Sequence, residues 1–274
     1  MTITYQSVLE FGLEPAARLL NQGFADYLVP VQLPVAGLLG MVRQDSVDLT
    51  LSRVVCRQDQ PVGVALIARR GCTSRLAAMA IIPEARGRGV GAACVRQLLA
   101  EARARADQAL TLEVIEQNAP AVGLYRQCGF STVRRLAGYA GRPAGAEADG
   151  ELEAVDVRAV ARALTAHGPA DLPWQLSGET LAQAGPPAVG YRSGPAWLAL
   201  SNPAAPVVGV RAVVTEPAAR RAGHALALLR GAARLHPDKE WRVPAIWPEA
   251  LSGLFEQFGL RREALTQWQM IIQL

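Results

Sequence analysis

The sequence predicts a mixed α/β protein with two similar domains. Segments with strand-like and helix-like apolar spacing alternate along the first half of the chain. Two fragments of that half return in weaker form at nearly the same separation: Pro217–Ala225 resembles Pro83–Gly91, and Leu251–Leu260 resembles Ala121–Phe130. Two pairs of similar fragments with nearly the same separation along the sequence indicate a repeated domain.

Apolar spacing and chain breakers place the elements of the first half in order. Helical spacing over 14–26 and 33–43, interrupted by Pro30 and Pro34, predicts two helices. Period-two alternation predicts the strands that follow. The later elements are expected as strands over 48–56, 61–69 and 75–82, a helix over 89–106, a strand over 110–115, a helix over 119–128 and a strand from 130 to about 138.

A short stretch rich in proline, glycine and small polar residues divides the chain. Residues 141–151 have this composition and predict a linker. The predicted domains are therefore 1–140 and 152–274, which suits a length of 274 residues.

Composition excludes several classes of protein. Half of the residues are hydrophobic and 19% are charged, which excludes global disorder. The net charge of +4 comes without a basic run interleaved with aromatic residues, so no nucleic-acid partner is expected. No leader peptide or membrane span is expected, and the predicted location is the cytoplasm. No metal site is expected, because four cysteines and three histidines are scattered without ligand spacing.

The glycine-rich turn is the strongest functional signal. Glycines at 87, 89 and 91 between a strand and a helix leave backbone N–H groups exposed at a helix N-terminus, which is an anion site. Arg86 and Arg88 add positive charge. No Lys follows, as a Walker loop requires, and the spacing is not that of a dinucleotide fingerprint. The pattern predicts a phosphate group as ligand.

The turn resembles a motif of a known enzyme superfamily. Arg86-x-x-Gly89-x-Gly91 is similar to motif A of the GNAT N-acetyltransferases, [RQ]-x-x-G-x-[GA]. Residues 112–130 match that family's later motif, L-E-V-x-x-x-N-x-x-A-x-x-L-Y-x-x-x-G-F, at every fixed position. The resemblance implies a mixed α+β GNAT fold in tandem, each copy a central mixed sheet flanked by helices, with residues 1–140 as the catalytic domain.

The resemblance also implies an activity. The expected reaction is acetyl-CoA-dependent transfer of acetyl to a primary amine of a small molecule, an amino acid or a peptide N-terminus. Direct transfer in a ternary complex is expected, with acetyl-CoA as co-substrate and no metal. A non-catalytic acyl-CoA-binding or interaction protein is the alternative.

By the same resemblance, the cofactor-binding residues follow the two motifs. The free main chain of the strand would pair with the pantetheine arm and polarise the acetyl carbonyl. The turn would hold the pyrophosphate, although the arginine side chains could instead be solvated. Asn118 would contact the cofactor, cap the helix at 119, or do both. The implied residues are Met79, Ala80, Ile81, Arg86, Gly87, Arg88, Gly89, Val90, Gly91, Asn118 and Tyr125.

Tyr125 and Glu113 are the predicted catalytic residues. In the family, a Tyr at this motif position protonates the departing thiolate; packing in the core is the other interpretation of Tyr125. In the similar ribosomal-protein N-terminal acetyltransferases, the Glu of L-E-V faces the substrate amine. Glu113 should point away from Leu112 and Val114, into the cleft or solvent. Glu116, or a water chain without a dedicated base, remains open.

The acceptor segment is expected between residues 24 and 41, as in the superfamily. Phe24 and Tyr27 could line a pocket and Asp26 could pair with a cationic amine, although ordinary helix packing fits as well. Arg69 and Arg70 could favour an anionic acceptor.

The second domain departs from the motifs where chemistry is expected. The residues there are Val243, Pro248 and Phe255 in place of Glu113, Asn118 and Tyr125, with Ala222 and His224 in the turn. A phenyl ring cannot protonate a thiolate. The resemblance therefore implies a retained fold without catalysis in 152–274, which would wall the acceptor cleft, fix domain geometry or form a homodimer.

Overall fold

The chain folds into two compact units. The computed structural model describes residues 2–143 and 152–274. Unit 1 comprises Met1–Val133 with Trp268–Leu274, and unit 2 comprises Arg134–Gln267. Of the predicted linker, residues 144–151 lie outside the described residues.

Unit 1 follows the predicted order of elements, with ends shifted by a few residues. The first strand and a one-turn helix after it were not predicted, since five residues carry little periodicity. The elements are β1 (Ile3–Ser7), α1 (Val8–Phe11), α2 (Leu13–Gly23), α3 (Val35–Asp45), β2 (Val47–Arg57), β3 (Gln60–Arg70), β4 (Thr73–Ile81), α4 (Val90–Ala104), β5 (Ala109–Ile115), α5 (Ala119–Gln127) and the last part of β12 (Arg261–Gln273).

The sheet of unit 1 has the order β1-β2-β3-β4-β5-β12. The apolar stripe of α4 packs on one face, where Leu98 and Leu99 join Leu76 and Leu112 in a buried cluster. Met270 of β12 belongs to the same cluster and is fully buried. Seven residues from the far end of the chain therefore complete the core of unit 1.

Unit 2 repeats this arrangement, which confirms the tandem fold. Its order is β6-β11-β10-β9-β8-β7, with β6 in the place that β12 takes in unit 1. The elements are β6 (Ser131–Gly141), β7 (Glu153–Val155), α6 (Val157–His167), α7 (Gly178–Ala182), β8 (Val189–Ser193), β9 (Ala196–Leu200), β10 (Val207–Thr215), α8 (His224–Leu235), β11 (Glu240–Pro248), α9 (Ser252–Gln257) and the first part of β12.

The strand after the second motif lies in a different unit from the predicted one. Residues 130–138 were expected to complete the N-terminal domain. Instead β6 runs antiparallel to β11, with Tyr139 opposite Val243, and Tyr139 is fully buried in the core of unit 2. The units thus differ from the predicted domains by one exchanged strand each, because alternation identifies a strand and not its neighbour.

The parallel strands β4 and β5 diverge halfway along. They pair from Thr73 with Ala109 to Leu76 with Leu112, and there the pairing ends. A register shift between β3 and β4 falls at the same level, between Leu66 and Ile67. We call the last pair, Leu76 and Leu112, the splay vertex. Beyond it β4 has an edge with no partner in β5.

Candidate active site

The turn between β4 and α4 exposes a row of backbone N–H groups. Gly87 and Gly89 have φ of +68° and +77°, a region that glycine enters without strain. A Cβ on either glycine would meet nothing within 4 Å, so backbone conformation alone requires glycine there. Within the described chain, the N–H groups of residues 87–92 have no acceptor. This geometry suits an anion.

Arg86 is held by the protein around the turn. Its Nε donates to the Ile81 carbonyl at 2.9 Å, and one terminal nitrogen donates to the Gly23 carbonyl at 2.7 Å. Both terminal nitrogens also donate to Asp26, at 2.7 and 2.9 Å. The hydrogen bond from Arg86 lowers the pKa of Asp26. Asp26 is therefore paired with Arg86 and not, as expected, open to a cationic amine. Direct contact of Arg86 with phosphate stays a prediction, and most of its donors are already engaged.

The predicted arm-binding residues lie on the free edge of β4. Met79, Ala80 and Ile81 pair with β3 on one side only, since the pairing with β5 has ended at the splay vertex. The side chain of Met79 reaches within 4.0 Å of the place where a Cβ on Gly91 would stand. The strand edge and the turn are thus continuous.

Asn118 joins the acceptor segment to the second motif. Its side chain accepts a hydrogen bond from the Ala121 N–H at 3.3 Å and caps α5. Its side chain also hydrogen-bonds the Tyr27 hydroxyl; burial raises the pKa of Tyr27, and this bond acts in the opposite direction. Tyr27 in turn packs edge-on against Phe24, with ring centroids 5.0 Å apart. The capping interpretation of Asn118 is confirmed, and contact with a cofactor stays a prediction.

Tyr125 lies in the core beneath the turn. It is 7% exposed and packs edge-on against Phe130 at 5.8 Å between ring centroids. Burial above all, and then the neighbouring Cys94, Tyr27 and Cys128, raise the pKa of Tyr125 far above its ordinary value. The phenol therefore keeps its proton throughout the physiological range. Its burial fits the core-packing interpretation, and a role as proton donor stays a prediction.

Glu113 points away from Leu112 and Val114, as alternation predicts, but it does not lie in open solvent. Its side chain is 4% exposed, and its Oε2 accepts a hydrogen bond from Arg75 Nε at 2.7 Å. Glu116 follows the end of β5. A charged residue amid the apolar pattern of β4 was the sequence signal that could have identified Arg75.

Arg69 and Arg70 are engaged inside unit 1. Arg69 Nε donates to Asp107 at 2.8 Å, and Arg70 Nε donates to the Ser46 hydroxyl at 3.0 Å. The structure thus gives both arginines partners other than the expected anionic acceptor.

Unit 2 keeps the turn and loses the phenol. Arg221 and Gly223 have φ of +64° and +84°, close to the values of the two glycines in unit 1. Arg220 donates to the carbonyls of Thr215 and His167, as Arg86 does to the corresponding carbonyls. Phe255 stands in the place of Tyr125 and is fully buried. The backbone of the turn is therefore repeated, and a phenyl ring replaces the phenol.

A glycine turn beside a diverging pair of parallel strands is the arrangement of the GNAT fold. Family comparison agrees: residues 37–130 match the acetyltransferase (GNAT) family. Those residues include both motifs and all the predicted catalytic side chains.

A curated relative and several solved structures extend the match. A peptidyl-lysine N-acetyltransferase, YjaB of Salmonella typhimurium, is 37% identical over 30% of this chain, and the match spans half of that relative's length. A GCN5-related N-acetyltransferase from Sphaerobacter thermophilus covers 99% of this chain and 95% of its own, with a TM-score of 0.73 and 17% identity. A tandem GNAT protein from the clavulanic acid biosynthesis pathway covers 99% and 98%, with a TM-score of 0.66 and 15% identity. These structures show the fold of the whole chain.

The part of the chain that the structure describes has neither a membrane-spanning helix nor a cluster of metal ligands. In residues 2–143 and 152–274, no helix is long and apolar enough to cross a bilayer. Over the same ranges, no three His, Cys, Asp or Glu side chains lie together as a metal site would require.

Proposed function

We propose that unit 1 transfers acetyl from acetyl-CoA to a primary amine. The observation that carries this proposal is the row of unbonded N–H groups at 87–92, continuous with the free edge of β4. A diphosphate and an extended amide arm are the chemistry that fits such a surface. Acetyl-CoA would supply an activated thioester there.

The protein's own groups would bind, orient and move protons. The turn would hold the pyrophosphate through main-chain donors, with exposed Arg88 as added charge and Arg86 shaping the turn. The free edge at Met79, Ala80 and Ile81 would align the arm and polarise the carbonyl. Val90, Gly91 and Asn118 would complete the wall.

The proposed transfer conserves atoms and charge. Glu113, directly or through water, takes one proton from the acceptor ammonium and later returns it to solvent. The amine nitrogen forms its bond to the acetyl carbon as the carbon–sulfur bond breaks. Tyr125 gives its proton to the sulfur, and the second proton lost by the nitrogen restores the phenol. No acyl-enzyme is needed in this ternary complex.

Replacing Tyr125 with Phe is expected to lower acceptor-dependent CoA release about ten-fold or more, the range that general acid catalysis supplies. Thiol release would be measured across a panel of amines, amino acids and lysine-containing peptides. Tyr139→Phe, which removes a buried phenol from unit 2, is the matched control and should keep full activity. Equal rates for Tyr125→Phe and wild type would move the acid elsewhere.

A second pair of variants tests which turn binds the cofactor. Gly89 and Gly223 begin α4 and α8 with almost the same backbone angles and open space around them. Replacing either by Ala costs a similar backbone strain, about 1 kcal/mol. We expect Gly89→Ala to weaken acetyl-CoA binding several-fold, measured by calorimetry, and Gly223→Ala to leave it unchanged. The reverse result would place the site in unit 2.

The remaining parts of the proposal concern partners. Loss of the phenol at Phe255 supports a non-catalytic unit 2. A peptide lysine is an acceptor worth including, because YjaB is named for that activity. Acetyl-CoA binding without release on any acceptor would favour the alternative of an acyl-CoA-binding protein. A cytoplasmic location, a homodimer and the lack of a nucleic-acid partner stay predictions.

A further inference from the structure

Three charged side chains meet in the interior of unit 1. Arg75 and Glu113 are each 4% exposed and joined by the 2.7 Å bond from Nε to Oε2. Asp45, at the end of α3, brings an Oδ2 to 4.0 Å from a terminal nitrogen of Arg75. Glu113 Oε1 and that terminal nitrogen of Arg75 are both buried, and neither has a hydrogen-bond partner among the described residues. We call Arg75, Glu113 and Asp45 the charged cluster.

The charged cluster lies at the splay vertex. Arg75 precedes Leu76 in β4, and Glu113 follows Leu112 in β5, so the two side chains flank the last strand pair. Leu76 and Leu112 face α4. By alternation, Arg75 and Glu113 point to the opposite face, where Asp45 at the end of α3 approaches Arg75. Glu113 is therefore the first side chain of β5 beyond the point where the strands part.

Stability alone does not account for this cluster. Removing charges from water costs several kcal/mol per ion, and apolar residues of the same volume often serve the fold as well. Asp45 places a second carboxylate beside the guanidinium of Arg75. The carboxylates of Glu113 and Asp45, with Oε1 of Glu113 lacking a hydrogen-bond partner among the described residues, suit a ligand that is cationic and donates hydrogen bonds.

We propose that Arg75 is a positioning residue: by holding Oε2 of Glu113 it leaves Oε1 free at the splay vertex to receive the proton of the acceptor ammonium. Asp45 offsets the second half of the guanidinium, so that Arg75 holds Glu113 without neutralising the cluster. The inference rests on the function proposed above. It assigns the acceptor a cationic amine and identifies Glu113, not Glu116, as its base.

The test is a double-mutant cycle in the full chain. CoA release with the best acceptor of the panel would be measured for Glu113→Gln, Arg75→Met and the double variant. Glu113→Gln should lower kcat about 100- to 10,000-fold with little change in the KM for acetyl-CoA. Arg75→Met should lower kcat at least ten-fold, and Arg75→Lys should restore part of the loss. The double variant should be no slower than Glu113→Gln, because Arg75 acts only through Glu113.

The same set of variants also includes the controls for folding. Arg75→Met leaves a buried carboxylate unpaired and should lower the melting temperature, whereas the double variant removes both charges and should recover much of it. Arg53→Met breaks the 2.9 Å ion pair with Glu101 elsewhere in unit 1 and should leave kcat unchanged. Losses that multiply in the double variant, or wild-type kcat in Arg75→Met, would overturn the assignment.

The cycle also separates this inference from the proposed function. If the wild-type protein releases no CoA with any acceptor, the proposed function fails. If it does, and Tyr125→Phe slows it while Glu113→Gln keeps wild-type kcat, the roles given to Glu113 and to the charged cluster fail, while acetyl transfer and the role of Tyr125 stand.

Discussion

Replacing Met270 with Asp is expected to unfold unit 1 and remove its activity, although the residue belongs to the second half of the sequence. Met270 is fully buried in the core of unit 1, with Trp268 and Ile272 packed beside it. Truncating a buried Met costs about 2–5 kcal/mol, and a buried unpaired carboxylate adds more. A domain holds only about 5–15 kcal/mol in total.

Two neighbouring substitutions make the measurement specific. Gln273 lies in the same strand and is exposed, so Gln273→Asp should melt like the wild-type protein. Thermal unfolding followed by circular dichroism, together with an assay of acceptor-dependent CoA release, would compare the two variants. A Met270→Asp variant that melts and reacts like the wild type would contradict the exchange of strands.

Replacing Asp107 with Ala is expected to lower the free energy of unfolding by about 3–5 kcal/mol, the usual cost of breaking a buried ion pair. The side chain of Asp107 is fully buried. Its oxygens accept hydrogen bonds from Arg69 at 2.8 Å, Ser74 at 2.6 Å and Arg105 at 3.1 Å. Removing the carboxylate deprives all three donors of this hydrogen-bond acceptor.

A surface pair gives the contrast. Glu14 and Arg18 form an ion pair at 2.6 Å, but both are largely exposed, and Glu14→Ala should cost no more than about 0.5 kcal/mol. Urea unfolding of both variants would compare them. Equal losses would show that burial does not set the strength of these pairs.

The same carboxylate predicts a dependence on pH. Burial tends to raise the pKa of Asp107, but the hydrogen bonds from Ser74, Arg69 and Arg105 outweigh it and lower the pKa. Its contribution is therefore complete above the unfolded value, about 3.9, and is lost as pH falls through the lower folded value. Asp107→Asn should lose less stability between pH 5 and pH 3 than the wild type does.

Much of the fold was predictable because its signals are local. Glycine at positive φ, the apolar stripe of α4 and the alternation of β2 to β5 each act over a few residues. The partners of β6 and β12 depend on which strand edge each segment reaches, and alternation carries no such information. The exchange of these strands was accordingly not predicted.

The site divides in the same way. The turn at 87–91 and the cap at Asn118 follow from sequence motifs, whereas the burial of Tyr125 was only the second interpretation of its motif. The pairing of Asp26 with Arg86, and of Glu113 with Arg75, joins residues distant in sequence, and charge patterns alone could not assign those partners. The sequence thus indicated candidate residues and left their partners open.

The position of Met270 and its strand late in the sequence determines when unit 1 can complete its fold during synthesis. Residues 268–274 leave the ribosome only after residues 134–267 have been synthesised. Synthesis of that span takes roughly 7–27 s at about 5–20 residues per second. During that interval the edge of β5 that β12 later covers stands open, and open edges invite pairing with other chains. A translation product that stops anywhere in the second half therefore lacks the residues that complete the core of unit 1. Such a product is expected to bind chaperones rather than act as a shorter enzyme.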